Sequence, residues 1–261
     1  MKQVKPKLID THAHLDMGHY DDDREEVIER AMKKSTGFIN MGLDLSSSKK
    51  SIELAKSYDN VYAGIGFHPH EASKFNSSTL DKFRELSKHK VVKAIGEIGL
   101  DYYRDNSPRR KQREAFVAQL ELACELELPV SVHNRDSTED LLRILKSQTE
   151  VPAGVVHSFF GDYDLGEEFI DLGLYLGLSG PVTFDGNKRL GETVKELPLE
   201  RLVLETDSPF LTPAPNRGKR NEPGYVEFVA KELAYLKDIS FEVVSETTTR
   251  NARRLFDLNE C

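Results

Sequence analysis

Residues 91–97 read Val91-Val92-Lys93-Ala94-Ile95-Gly96-Glu97, an almost continuously apolar run that ends in a carboxylate. A strand with one face in water alternates apolar and polar residues, whereas a strand covered on both faces has an unbroken apolar run. The run therefore predicts a strand of a parallel sheet with helices packed against it.

Seven more runs of this kind occur along the chain. His12 follows the first and Asp207 follows the last, so seven strand-to-strand steps cover 195 residues, or about 28 residues each, the size of one βα unit. Eight such units predict an α/β fold, a (β/α)8 barrel. A doubly wound open sheet is the alternative, but it usually has fewer strands. The seven runs are Leu8-Ile9, Phe38–Gly42, Val61–Gly66, Val130–Val132, Gly154–Val156, Leu174–Leu178 and Leu202–Leu204.

The polar segments between the runs have helical periodicity and contain helix start signals. No linker, low-complexity tract or block of charge divides them, so we predict one domain over residues 1–261. The start signals precede apolar helical stripes and are Asp23, Ser107-Pro108, Asp136 or Ser137, and Asn221 with Pro223.

The composition excludes several classes of protein. With 44 acidic and 36 basic residues, the net charge of −8 argues against a protein that coats nucleic acid nonspecifically. Two cysteines, Cys124 and Cys261, cannot build a disulfide framework and predict a reducing compartment, the cytoplasm. No apolar run is long enough for a signal peptide or a membrane span. We also predict no membrane partner and no obligatory protein partner.

Ligand-capable side chains follow five of the eight runs. His12 and His14 lie two residues apart, and strand alternation places them, with Asp10, on one face where two imidazoles can bind one cation. Glu97 would be costly to bury without a cation or many hydrogen bonds. His133, His157 and Asp207 follow the fifth, sixth and eighth runs. Singly, each histidine could be structural, but barrel enzymes keep their active sites at this end of the strands.

The six candidate ligands are more than one four-coordinate ion needs. They suit two divalent metal ions per chain that share a bridging carboxylate. Four imidazoles and two carboxylates are compatible with zinc, manganese or magnesium, so the sequence leaves the identity of the ions open.

Seven motifs, in order along the chain, resemble those of the TatD family of metal-dependent deoxyribonucleases, which are amidohydrolase-like barrels. The glutamate at the fourth strand differs from the carboxylated lysine of many amidohydrolases, which disfavours a urease-like activity. The motifs are Asp10–Asp16, Gly66–His70, Gly96–Tyr103, Val132–Asp136, Val156–Phe159, Leu204–Leu211 and Arg217–Pro223.

The resemblance implies a role for each candidate ligand. It implies that His12, His14 and Asp207 hold one ion, that His133 and His157 hold the other, and that Glu97 lies between the two ions. It also implies that His68 lies near the substrate, where we expect an imidazolium that donates to a phosphate. A solvated loop histidine is the alternative.

Basic and aromatic residues beyond the strand ends are candidates for substrate binding. Arg217 and Arg220 lie after the eighth strand, and guanidinium groups bind phosphate oxygens well. A second basic group follows the fourth strand, although such runs are usually solvated: Arg104, Arg109, Arg110, Lys111 and Arg113. Six aromatic residues could stack on bases, about half of them being expected to pack the barrel rim instead: Tyr102, Tyr103, Phe159, Phe160, Phe184 and Phe210.

The function we predict is hydrolysis of phosphodiester bonds in DNA, as a 3'-5' exonuclease on single strands or chain ends. Asp207 is expected to orient and deprotonate the attacking water, with Glu97 as the second catalytic carboxylate. A D-aminoacyl-tRNA deacylase or an RNA exonuclease with the same centre is the alternative. A non-catalytic nucleic-acid-binding barrel would have an incomplete ligand set or an extensive basic surface, and the sequence has neither.

Overall fold

Eight parallel strands form one sheet that is rolled into a barrel. The structure, a computed structural model, describes residues 7–34 and 36–258. Each strand pairs with the next one along the chain, so the spatial order equals the sequence order and the predicted (β/α)8 barrel is confirmed. The strands are β1 (Leu8–Ala13), β2 (Thr36–Met41), β3 (Val61–Ile65), β4 (Val92–Asp101), β5 (Val130–Arg135), β6 (Gly154–Val156), β7 (Leu174–Leu178) and β8 (Leu202–Leu204).

Helices follow the strands and cover the outside of the barrel. Short 3-10 turns connect several of them, including Pro223–Tyr225 at the start signal that was predicted around Pro223. The helices are α1 (Arg24–Lys33), α2 (Leu45–Ser57), α3 (Ser77–Ser87), α4 (Arg109–Glu125), α5 (Thr138–Ser147), α6 (Tyr163–Asp171), α7 (Lys188–Glu196), α8 (Val226–Lys237) and α9 (Phe241–Leu255).

The predicted helix starts are close to the observed ones, but their side chains act differently. Asp23 and Ser137 are N-cap residues, yet neither side chain caps its helix. The Ser137 hydroxyl donates instead to the carbonyl of Leu100 at 2.9 Å. The N-cap of α4 is Pro108, one residue later than expected, and Ser107 donates to the carbonyl of His70 at 2.7 Å. These bonds tie the start of α5 to the carboxyl end of β4 and the start of α4 to the 3-10 turn after β3.

The apolar core consists of two clusters, one between the sheet and the helices and one inside the barrel. Neighbouring strand residues alternate between them: Leu8 and Phe38 belong to the large cluster against the helices, whereas Ile9 and Ile39 belong to the smaller one. The smaller cluster lies inside the barrel, below the carboxyl ends of the strands, and includes Phe256, just after α9. An apolar layer therefore lies beneath the strand ends where the candidate ligands were predicted.

The barrel closes where β1 meets the residues that follow β8, and we call this junction the seam. The backbone N–H of Asp207 donates to the carbonyl of His12 at 2.9 Å, and that of His14 donates to the carbonyl of Ser208 at 2.8 Å. Asp10 accepts bonds across the same seam from the N–H and the hydroxyl of Thr206, at 2.8 and 2.6 Å. The Asp10 Oδ1 atom also accepts from the backbone N–H of His12 at 3.2 Å, and the pairing of β1 with β2 shifts register between Asp10 and Ala13.

Among the described residues, no helix is both long and apolar enough to cross a membrane. Cys124 is a free thiol, and Cys261 lies outside the described residues. The single domain and the cytoplasmic location remain predictions from the sequence.

The seam yields the first test. Thr206→Val keeps the side-chain shape but leaves Asp10 Oδ2 without the hydroxyl that donates to it, so we expect unfolding free energy to fall by about 1–3 kcal/mol. Urea unfolding at fixed metal concentration measures the change. Thr248→Val is the matched control, because the Thr248 hydroxyl donates to the Val244 carbonyl within its own helix, α9. Equal losses in the two variants would contradict a special role for the seam.

Candidate metal centre

The carboxylate of Glu97 is buried at the centre of four imidazoles. Its Oε2 atom lies 3.3 Å from His12 Nε2 and 3.5 Å from His14 Nε2. Its Oε1 atom lies 2.7 Å from His133 Nδ1 and 3.6 Å from His157 Nε2. The two oxygens of one carboxylate thus face two different pairs of histidines.

The other nitrogen of each histidine is held by the barrel wall. A carbonyl or carboxylate oxygen of the wall can only accept a hydrogen bond, so the histidine nitrogen next to it must carry the proton. In a neutral imidazole the other nitrogen, which faces Glu97, then has the free lone pair that a metal ion needs. The wall contacts are His12 Nδ1 to Ser131 Oγ at 3.0 Å, His14 Nδ1 to the Met41 carbonyl at 2.9 Å, His133 Nε2 to Asp101 Oδ2 at 3.1 Å, and His157 Nδ1 to Glu205 Oε1 at 3.0 Å.

Asp207 joins this group from a sharp bend after β8. Its Oδ1 atom lies 3.5 Å from His14 Nε2. Its φ of 55° is in the left-handed region, which a non-glycine residue adopts at a cost and which is often found at functional sites. The bend lets the backbone of Asp207 close the seam while its carboxylate reaches the histidines.

The spacing of the donor atoms fits a divalent cation. Ligand atoms about 2.1 Å from a tetrahedral ion are roughly 3.4 Å apart. The contacts of His12 and His14 with Glu97 Oε2, and of His14 with Asp207, are 3.3, 3.5 and 3.5 Å. These residues have the atom types and the spacing to hold a metal ion.

Buried charges of opposite sign set the pKa values here. Burial raises the pKa of Glu97, but His68, His12 and His157 outweigh it and hold that pKa well below the usual range. Burial lowers the pKa of His157, but Glu205 and Glu97 together raise it to about 9. A metal ion compensates the same carboxylates and requires unprotonated imidazoles, so binding of an ion would release protons.

Comparison with known proteins agrees with this geometry. A family profile described as "TatD related DNase" matches residues 9–257. The chain belongs to the TatD family. It is a metal-dependent hydrolase with the barrel of that family.

Two sequence relatives and one solved structure show how similar the chain is to other members of the TatD family. "Uncharacterized metal-dependent hydrolase YabD" of Bacillus subtilis strain 168 is 47% identical over 97% of this chain and 100% of that protein. "3'-5' ssDNA/RNA exonuclease TatD" of Rahnella sp. strain Y9602 is 37% identical over 94% of this chain and 97% of that protein. The crystal structure of YJJV, a TatD homologue from Escherichia coli K12, is 28% identical with a TM-score of 0.91, over 98% and 100% of the two chains.

Two carboxylates that contact candidate ligands in this TatD-family chain were missed by the sequence reasoning. Asp101 orients His133, and Glu205 orients His157. Glu205 follows the apolar run of β8 directly, the same signal that identified Glu97, so it could have been found. Gly177 makes room for it, because a Cβ atom there would lie 2.3 Å from Glu205 Oε2.

His68 lies beside the metal centre and is buried. Its Nε2 atom is 3.5 Å from Glu97 Oε1, and its Nδ1 atom accepts from the backbone N–H of His70 at 3.1 Å. Burial lowers the pKa of His68 to about 4, so the expected imidazolium is not favoured at neutral pH. A neutral ring whose Nδ1 accepts still donates from Nε2, so His68 remains a candidate for substrate contact.

Arg217 and Arg220 occupy different environments. The guanidinium of Arg220 donates to both carboxylate oxygens of Asp23 at 2.7 Å and to the carbonyl of His19. Arg217 is exposed and stacks on Phe184, with 3.7 Å from its guanidinium carbon to the ring centroid. Arg217 is therefore the better placed of the two for a phosphate contact, and both assignments remain predictions.

The basic residues after β4 and the six aromatic residues also differ among themselves in exposure and in their contacts. Four of the five basic residues after β4 form ion pairs with nearby acids, namely Arg109, Arg110, Lys111 and Arg113. Three of the six aromatic residues pack or bond at the rim, namely Tyr102, Phe159 and Phe184. The other three are exposed: Tyr103 by 57%, Phe160 by 66% and Phe210 by 44%.

The role of Glu205 gives a second test. Glu205→Gln removes the charge that holds His157 Nδ1, so we expect divalent-metal affinity to fall about 10- to 100-fold. Titration against a fluorescent chelator measures the affinity. Glu227→Gln, the same change at an ion-paired surface residue of α8, is the control. Wild-type affinity in Glu205→Gln would show that this contact does not support metal binding.

Proposed function

We propose that this TatD-family hydrolase removes nucleotides from the 3' end of single-stranded DNA with two divalent ions. The observation that supports two metal ions is the position of the Glu97 carboxylate, whose two oxygens face separate groups of donor atoms. The substrate class is supported by the Rahnella relative, which is named as a 3'-5' exonuclease of single-stranded DNA and RNA.

The donor atoms suggest how the ions would be shared. His12, His14 and Asp207 would hold one ion, His133 and His157 would hold the other, and Glu97 would lie between them. When bound, the pair would activate water and neutralise charge on the phosphate. Zinc, manganese and magnesium remain candidates, and four imidazoles favour a transition metal.

Asp207 is the residue we assign as general base. Burial raises its pKa, but contacts with His14, His157 and His12 outweigh that effect and lower the pKa, so the carboxylate is ionised at neutral pH. An ionised carboxylate can orient a water molecule and accept its proton. Glu97 would bridge the two groups of donor atoms, and the Nε2–H of His68, which lies 3.5 Å from Glu97 Oε1, would donate to a phosphate oxygen of the bound substrate. Arg217 would add positive charge at the open end of the barrel, beyond the carboxyl ends of the strands.

The decisive experiment compares substrates side by side. Labelled single-stranded DNA, RNA and D-aminoacyl-tRNA are incubated with the enzyme, with and without chelator. We expect DNA labelled at its 5' end to shorten into a ladder, and chelation to abolish the reaction. Cleavage of RNA alone, or of the aminoacyl ester alone, would instead select the corresponding alternative. Undiminished cleavage after chelation would contradict a metal-dependent reaction.

Asp207→Asn tests the assigned base. The amide cannot accept the proton, so we expect kcat on single-stranded DNA to fall by at least about 100-fold. Thermal unfolding should remain close to that of the wild type, which controls for folding. A near-normal kcat would exclude Asp207 as the base.

The two-ion arrangement has its own test. Replacing both His12 and His14 with alanine should reduce metal content from about two ions per chain to about one and abolish DNA cleavage. Mass spectrometry of the dialysed protein measures the content. Full activity with a single ion would refute the two-ion proposal.

A further inference from the structure

Tyr103 is an exposed aromatic side chain between two arginines at the mouth of the barrel. The guanidinium carbon of Arg135 lies 4.1 Å from the centroid of its ring, and that of Arg104 lies 5.6 Å away. The side chain is nevertheless 57% exposed, so much of the ring is open to solvent. Stacking of this kind fixes a guanidinium while leaving its N–H edges free to donate.

Neither of these arginines forms an ion pair within residues 7–34 and 36–258. Neighbouring basic residues differ in this respect: Arg109 pairs with Asp105, and Arg113 pairs with Asp140. The uncompensated positive charge at this rim is therefore concentrated around one aromatic ring. That combination matches the two parts of a nucleotide, a base and a phosphate.

Asp101 connects this ring to the metal centre. Its Oδ1 atom accepts from the backbone N–H groups of Tyr103 and Arg104, at 3.0 and 2.7 Å. Its Oδ2 atom lies 3.1 Å from His133 Nε2 and 2.9 Å from His70 Nε2. One buried carboxylate therefore sets the position of the turn at Tyr103 relative to a candidate ligand.

Arg135 is placed by the alternation of β5. Ser131 and His133 reach into the barrel, where they contact His12 and Glu97, whereas Asn134 bonds Thr138 of α5. Arg135 has the same parity as Ser131 and His133, and it lies about 7 Å beyond His133 along the strand. Arg135 therefore lies at the carboxyl end of β5, the end of the strands where barrel enzymes bind their substrates.

We propose that Tyr103, Arg104 and Arg135 form a subsite for the nucleotide adjacent to the cleaved phosphodiester bond. The base of that nucleotide stacks on Tyr103, and its phosphate accepts hydrogen bonds from Arg135 and Arg104. The proposal rests on the proposed function, because it assumes a single-stranded nucleic acid at the centre. Phe160 and Phe210 are also exposed, but no arginine of the described part of the chain stacks on either ring.

The test is binding of a fluorescein-labelled hexathymidylate with phosphorothioate linkages to the metal-loaded enzyme, followed by fluorescence anisotropy. We expect Tyr103→Ala to weaken binding about tenfold through loss of stacking, and Tyr103→Trp to retain it. Tyr235→Ala is the control, because Tyr235 is a 79% exposed tyrosine on α8, away from the strand ends. Its affinity should equal that of the wild type.

Arg135→Gln tests the phosphate contact separately. Loss of one contact should reduce the slope of log affinity against log salt concentration by about 0.7, which a purely structural role would not do. Arg110→Gln, an exposed arginine of α4 that pairs with Glu114, should leave the slope unchanged.

Turnover separates the subsite from the proposed function. On unmodified hexathymidylate, Tyr103→Ala should raise KM about tenfold with little change in kcat. Tyr235→Ala, the exposed control on α8, should leave both KM and kcat on this substrate unchanged. Tight binding that depends on Tyr103, without DNA cleavage by the wild type, would refute only the proposed function. Cleavage with unchanged binding and KM in Tyr103→Ala would refute only the subsite, and absence of both binding and cleavage would refute both.

Discussion

The organisation of the site depends on one buried carboxylate. Taking a charged group such as Glu97 out of water costs several kcal/mol unless charges and hydrogen bonds compensate it. Four imidazoles at 2.7–3.6 Å provide that compensation here. Each imidazole can serve this purpose only if its ring is held in one orientation. The constraint on Glu97 therefore extends outward to the wall residues that hold the rings.

The barrel meets this constraint because strand alternation repeats around it. Along β5 and β6, inward positions near the base are apolar or small, and the inward positions at the carboxyl ends are His133 and His157. The apolar layer keeps water from the underside of the centre, so electrostatic interactions there are stronger than at the surface. Gly177 shows how tight the upper layer is, since any side chain at that position would displace Glu205.

The features predictable from the sequence are those with a local signal. Burial on both faces produces apolar runs, and a charged residue directly after such a run stands out; this was enough for the barrel and for Glu97. The partners of the ligands have no such signal. Whether Asp101 meets His133 depends on the register between β4 and β5, which no single strand encodes. The pairing of β1 with β2 likewise shifts register between Asp10 and Ala13, which the sequence of β1 alone does not show.

The same limit applies to the basic residues, and it changes how the net charge of −8 is interpreted. Arg217 and Arg220 are indistinguishable as sequence, yet Arg220 is neutralised by Asp23, which lies 197 positions away in the chain. At physiological ionic strength, exposed charges separated by more than about 8 Å scarcely interact, so the distant acidic surface contributes little at the mouth. Within the described residues the guanidinium groups of Arg135 and Arg217 form no ion pair, so their charge is not cancelled by a neighbouring carboxylate. A protein can thus be acidic as a whole and still offer guanidinium groups without an acidic partner to a phosphate chain.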